Sequence, residues 1–248
     1  MILFRPNPYF KPVYSILRQN FSGKLHFLSS LITFFSTITL SIVLFSTPAF
    51  AHIQPGELAG LLKSNSAFNY LALGYQHIIP SGIDHILFIL SLFLLSPRLK
   101  PVLWQATAFT FAHSITLGLV IYHIISIPST IVEPIITLSI LYIAIENILS
   151  SKLRTSRIGI IFLFGLVHGM GFAGGLAGSG LPKDHYFTAL VLFNTGVELG
   201  QITIILIAYF LLARWFRDRP YYRKYIVIPL SALLALIAFC WTVQRLFL

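Results

Sequence analysis

The chain has 248 residues, of which 56 % are hydrophobic and only 10 % charged, with a mean hydropathy of +0.85. A soluble domain carries about 25 % charged residues, so this composition excludes an ordinary water-soluble domain and points to a bilayer. The net charge of +10 invites nucleic acid as a partner. Its lysines and arginines fall at the N-terminus and in short interhelical segments instead of one stripe, so nucleic acid is not expected.

The first 51 residues read as a signal peptide. Arg5, Lys11, Arg18 and Lys24 make a basic leader, "FLSSLITFFSTITLSIVLF" an apolar core, and "TPAFA" a small-residue cleavage site ending at Ala51. Cleavage there leaves residues 52–248 as a single transmembrane domain, with His52 at its exposed N-terminus. About 20 apolar residues cross a bilayer. Segments of that kind follow at 71–96, 102–122, 134–150, 158–178, 186–212 and 226–247. The first is interrupted by Pro80 and Gly82, which kink it or divide it into an interfacial helix and a short span.

The connections alternate in charge. "SPRLKP", "SSKLRTSR" and "RWFRDRPYYRK" carry two, three and five basic residues, whereas "HIISIPSTIVEP" and "GSGLPKDHY" carry none and one. The basic set belongs on the cytoplasmic side. The expected fold is therefore an all-α integral membrane protein, a six-helix transmembrane bundle after a cleavable signal peptide. It lies in the inner (cytoplasmic) membrane with both mature termini on the outer side.

Ionisable residues inside spans are costly, and they face the bundle interior with partners. Here they recur. The first span holds His77, Asp84 and His85; the second, His113; the third, Glu146 and Asn147; the fourth, His168; the fifth, Asn194, Glu198 and Gln201. The sixth has no such group before Gln244, so it is expected to face lipid or a partner chain. His123, Glu133 and His185 fall in outer loops, and Asn147 and Gln201 suit an orienting role. Four histidines and three carboxylates on five helices, without a thiolate, match a borderline divalent ion such as Ni²⁺, Co²⁺ or Zn²⁺. The candidate metal ligands are His77, Asp84, His85, His113, Glu146, His168, Asn194 and Glu198. Asp84, His85, His113, His168 and Glu198 are expected to converge on one pocket. Near the start of a helix Asp84 also has a plain structural role open to it, as a cap. The small residues of "HGMGFAGGLAGSG" allow that helix to approach its neighbours closely.

At these residues the chain resembles the HupE/UreJ family of small membrane proteins, taken to be nickel or cobalt permeases. The resemblance rests on "HIIPSGIDHILF", "FTFAHSITL", "AIEN", "FGLVHG" and "FNTGVELGQ", in that order, and covers residues 65 to 212. It implies metal-ligand roles for Asp84 and His85. Six residues separate His77 from Asp84, whereas the family pattern places a histidine five residues before the Asp-His pair, so His77 carries over less directly. The function expected is that of a secondary permease for a divalent transition metal, Ni²⁺ or Co²⁺ first and Zn²⁺ or copper next. No resident cofactor is needed, and the lipid bilayer and the metal ion are its partners. A homo-oligomer or an accessory subunit is left open. No P-loop is present, so ion gradients or another protein supply any energy. The competing reading is a membrane-embedded Zn-dependent hydrolase of ceramidase-like type, built on the histidines, the aspartate and the pair His113-Ser114.

Overall fold

The computed structural model describes residues 67–177 and 186–247, with side chains placed outside 172–185. The leader, its cleavage site at Ala51, His52 and His185 lie outside the described residues. Within them all regular structure is helical: α1 (Ala67–Ile78), α2 (Ile83–Leu95), α3 (Leu99–Ile121), α4 (Ser129–Leu149), α5 (Ser156–Ala177), α6 (Tyr186–Ala208) and α7 (Ile228–Phe247). A π-helical turn, Tyr209–Ala213, carries α6 on to Phe216, and another, Arg223–Val227, leads into α7.

Three of these helices are long and apolar enough to cross a membrane: Ser129–Leu149, Tyr186–Phe216 and Arg223–Phe247. The pair α1 and α2 qualifies together, bent by 68° at the break between them, as a broken span or a re-entrant loop. At 23 residues α3 is about 34 Å long at 1.5 Å per residue. Its interior includes Gln105, Thr107, Thr110, His113, Ser114 and Thr116, which make it less apolar than its neighbours. α4 starts five residues before the span expected at 134–150 and includes Pro134. At the sixth position of the helix this proline lies past the first turn and removes the N–H that would pair with the Thr130 carbonyl.

The helices associate chiefly as α1 with α6, α3 with α5, and α4 with α7, and α2 lies against α4 and α6. Glycines set the first two pairings. A Cβ on Gly74 would collide with the carbonyl of Phe193, and one on Gly196 with the carbonyl of Leu71. Gly200, one turn on, sits against Ile78, with a Cβ there only 2.7 Å from its side chain. On α5, Gly165 and Gly169 likewise press on the carbonyls of Phe109 and His113. Both seams are small-xxx-small patterns that let backbones touch, the packing expected where lipid offers apolar side chains no gain from association. Nine of the 13 residues of α2 are buried, Phe88, Ile89, Leu92 and Phe93 completely, so this short helix is the core of the bundle.

α7 corrects the sequence reading. It faces neither lipid alone nor an absent partner: Thr242 Oγ1 donates to Thr137 Oγ1 at 2.8 Å, and Arg245 reaches Asp84 and the carbonyl of Glu133. Glu133 stands inside α4, half-buried, and not in a loop. His123 is exposed in the turn after α3, as expected.

Candidate metal centre

The break between α1 and α2 builds the site. In an uninterrupted helix, residues eight apart are about 12 Å apart along the axis. Here the chain turns at Pro80, Ser81 and Gly82, and the rings of His77 and His85 meet edge to face with centroids 4.8 Å apart. Gly82 makes the turn tight enough, because a Cβ there would overlap the carbonyl oxygen of His77. His77 ends α1 and His85 begins α2, so one residue from each half-helix points into the same space.

His113 joins them from α3, its ring centroid 6.0 Å from His77 and 5.9 Å from His85. One ring nitrogen from each of the three lies within 4.8 Å of the others, and all three residues are buried. A metal with bonds of about 2.1 Å holds its ligand atoms about 3.0–3.4 Å apart, so the trio would have to draw in from its 4.8 Å spread to share one ion. Both ring nitrogens of His85 and of His113 are buried without a hydrogen bond to any described residue. Such orphaned atoms cost about 1–3 kcal/mol each, and lone pairs with no other partner are what a divalent ion takes up.

His168 stands behind His85, ring centroids 5.1 Å apart. Its Nε2 is 3.0 Å from Ser139 Oγ, which already donates its only proton to the Ile136 carbonyl at 2.6 Å. The hydroxyl must then accept, so Nε2 carries the hydrogen and Nδ1 keeps the lone pair. Phe109, Phe88 and Phe193 surround the four imidazoles: Phe109 is 4.9 Å from His168, Phe88 5.3 Å from His168, and Phe193 5.6 Å from His77. The glycine seams hold the cluster in register, since Gly169 follows His168 and touches the His113 carbonyl, while Gly200 backs Ile78 beside His77.

The carboxylates go elsewhere. Asp84 points to α7, where its Oδ2 accepts from Arg245 Nη2 at 2.9 Å. It makes no side-chain cap, because the cap position is Gly82. Glu146 is paired with Arg157 at 2.9 Å. That arginine is fully buried, and it also donates to Asn147 Oδ1 at 3.2 Å from two nitrogens and to Gln105 Oε1 at 3.1 Å. Asn147 in turn donates to the Ser91 carbonyl at 2.7 Å. Glu198 Oε1 accepts from Thr107 at 2.6 Å across the α3–α6 seam. Asn194 Nδ2 returns to the Leu190 carbonyl of its own helix at 2.8 Å, leaving Oδ1 buried without a hydrogen bond to a described residue. Gln201, expected to orient a neighbour, is buried with neither amide atom bonded to a described residue. The structure therefore draws His77, His85, His113 and His168 together and gives Asp84, Glu146 and Glu198 partners outside the trio.

Two residues of consequence escaped the sequence reading. Arg157 looked like a loop charge in "SSKLRTSR", and Arg245 lay in the last turn of an apolar helix. Charge balance was the available signal: buried carboxylates at positions 84 and 146 require buried cations.

The family model described as HupE / UreJ protein matches residues 57–245. No curated protein and no solved structure matches the chain.

Proposed function

The chain belongs to the HupE/UreJ family, which is related to nickel and cobalt transport, and from that footing we propose that it is a membrane permease moving a divalent transition metal, Ni²⁺ or Co²⁺, through the histidine cluster. The observation that carries this reading is the buried trio His77, His85 and His113 at the helix break. Neutral imidazoles bind such ions by their lone pairs, with affinity set by geometry and access rather than by charge. His168, through Nδ1, completes the approach to the trio. Asp84, one residue from His85, is the carboxylate nearest in sequence to the cluster and joins it only by leaving Arg245.

In this reading the chain spans the inner membrane six times, α1 and α2 making one broken span, with the basic connections in the cytoplasm and both ends of the mature chain outside. Half-helices meeting at the substrate are a recurring device in transporters, since a broken helix offers side chains and unpaired backbone groups at membrane depth. The hydrolase reading gains no support: Ser114 Oγ donates to the Thr110 carbonyl of its own helix at 2.7 Å.

Uptake into proteoliposomes with Ni²⁺, Co²⁺, Zn²⁺ and Cu⁺ in competition tests the proposal. The native protein is expected to move Ni²⁺ or Co²⁺, and His113→Ala to abolish that flux while the protein still inserts and stays monodisperse. Equal flux in the two proteins, or none in either, overturns the proposal.

A further inference from the structure

We propose that Arg245 is a built-in competitor of the metal: it occupies Asp84 when no ion is bound, and by holding that carboxylate it keeps affinity low enough for release. This rests on the metal-permease reading above and adds a positioning residue to it. Among the described residues the guanidinium makes three contacts. Nη2 donates to Asp84 Oδ2 at 2.9 Å, Nη1 donates to the Glu133 carbonyl at 3.3 Å, and the group lies over the Trp241 ring, 5.9 Å from its centroid. Only the first partner is charged. When Asp84 turns to an arriving ion, the arginine keeps a carbonyl and an aromatic face, two neutral sites that hold a cation without competing for the metal.

Asp84 is the residue before His85, so the carboxylate that Arg245 holds begins the same helix turn as a member of the trio. The pair is largely buried, with side-chain exposures of 11 % for Asp84 and 18 % for Arg245, so water screens it weakly. Competition for one carboxylate gives the sign. With Arg245 in place an ion gains Asp84 only by breaking an ion pair in a poorly screened interior, whereas without Arg245 that pair need not be broken. Removing the arginine while Asp84 keeps its charge therefore strengthens binding, by a factor on the order of ten or more. For a permease stronger binding is no gain, because an ion must be held loosely enough to leave.

Cobalt is the probe, because its visible spectrum reports ligation directly. Co²⁺ titration of the purified full chain in detergent is compared for the native protein, Arg245→Gln, Arg245→Lys, Asp84→Asn and the double variant Asp84→Asn/Arg245→Gln. Arg245→Gln is expected to bind at least tenfold more tightly, and in proteoliposomes to show a lower KM together with a lower kcat. Arg245→Lys, which keeps the charge, should stay near the native affinity. In the Asp84→Asn background, which removes the buried charge that would destabilise the single variant, Arg245→Gln should change affinity much less. Native-like or weaker cobalt binding by folded Arg245→Gln overturns the inference alone. If that single variant does not fold, a tenfold gain from Arg245→Gln in the Asp84→Asn background overturns it, as does a tenfold gain in Arg245→Lys. A native chain that binds no cobalt overturns the permease reading and this inference with it.

Discussion

Replacing Arg157 by methionine removes a central cation from a buried polar knot. Its guanidinium lies 2.9 Å from Glu146 as an ion pair and donates to Asn147 and Gln105 at 3.1 to 3.2 Å, joining α3, α4 and the start of α5. Arg157 is 1 % exposed and Glu146 15 %, so water does not take over the lost contacts. Breaking a buried pair from one side costs about 3–5 kcal/mol, because the other charge stays behind unpaired. That is a large share of a total stability of about 5–15 kcal/mol. The assay is thermal melting of the purified protein in detergent, where Arg157→Met should lower the midpoint by about 10 °C or more. The double variant Glu146→Leu/Arg157→Met should recover part of that loss, since the orphaned carboxylate is gone. Glu146→Gln, which keeps an acceptor for Arg157, should retain metal flux per folded protein. A midpoint for Arg157→Met within two or so degrees of native would refute the network as a stabilising element, by the same scale. Loss of flux in a well-folded Glu146→Gln would return Glu146 to the metal site.

Other substitutions probe the scaffold of the cluster. Gly82→Val places a side chain against the His77 carbonyl, so the break must open and cobalt affinity should fall at least tenfold even where the protein folds, read by the same titration. Gly169→Ala sets a Cβ against the His113 carbonyl and Thr116 Oγ1; overpacking of this kind costs about 1–3 kcal/mol, visible as a lower melting midpoint. Ser139→Ala removes the partner of His168 Nε2 and should cost about 1 kcal/mol, while cobalt binding by the trio persists.

Much of this was legible in the sequence because hydrocarbon is an unforgiving solvent. A polar residue in an apolar run must turn inward, which is why the sequence leads one to expect His85, His113 and His168 in one pocket. Asp84 and Glu198, expected with them, bond to Arg245 and Thr107, and His77 takes their place beside the others. The small residues of the stretch from His168 announce the close seam at Gly169, though that stretch does not include Gly165. Partner choice was not legible. Asp84 and His85 are neighbours in sequence, yet a helix turns 100° per residue, and one faces Arg245 while the other faces His77. Glu146 was read with the histidines because both are intramembrane ionisable groups, but Arg157 stands eleven residues on, across a short connection, and reaches it first. Arg223 tells the same story. In a basic segment it reads as a solvated orientation signal, whereas it donates to the carbonyls of Asn147, Ile148 and Ser150 and closes the C-terminal end of α4. Such a role for a cation follows from the unpaired carbonyls and negative dipole end of a helix C-terminus, but nothing in a linear charge count assigns it to one particular helix.

In the permease proposed above, the distribution of the three histidines over the helix pairs would bear on how an ion leaves. His77 belongs to α1, which is locked to α6 by Gly74, Gly196 and Gly200, and His113 belongs to α3, locked to α5 by Gly165 and Gly169. His85 belongs to α2, which rests on α4 as well as α6. Within each glycine seam, backbones already touch and cannot slide without collision. Between pairs the glycines meet side chains, Gly118 that of Leu190 and Gly171 that of Ile136, and side chains can re-pack. A rigid shift of the α1–α6 pair against the α3–α5 pair would therefore change the His77–His113 separation while sparing the closest contacts in the molecule. The break at Pro80–Gly82 lets His85 stay with either neighbour during such a shift, because α2 is joined to α1 by a turn and not by a continuous hydrogen-bonded helix. A three-histidine site placed on one straight helix would move as a unit and could not loosen its grip. Placed across a break and two separately sealed pairs, the same three ligands can part by rigid-body motion alone.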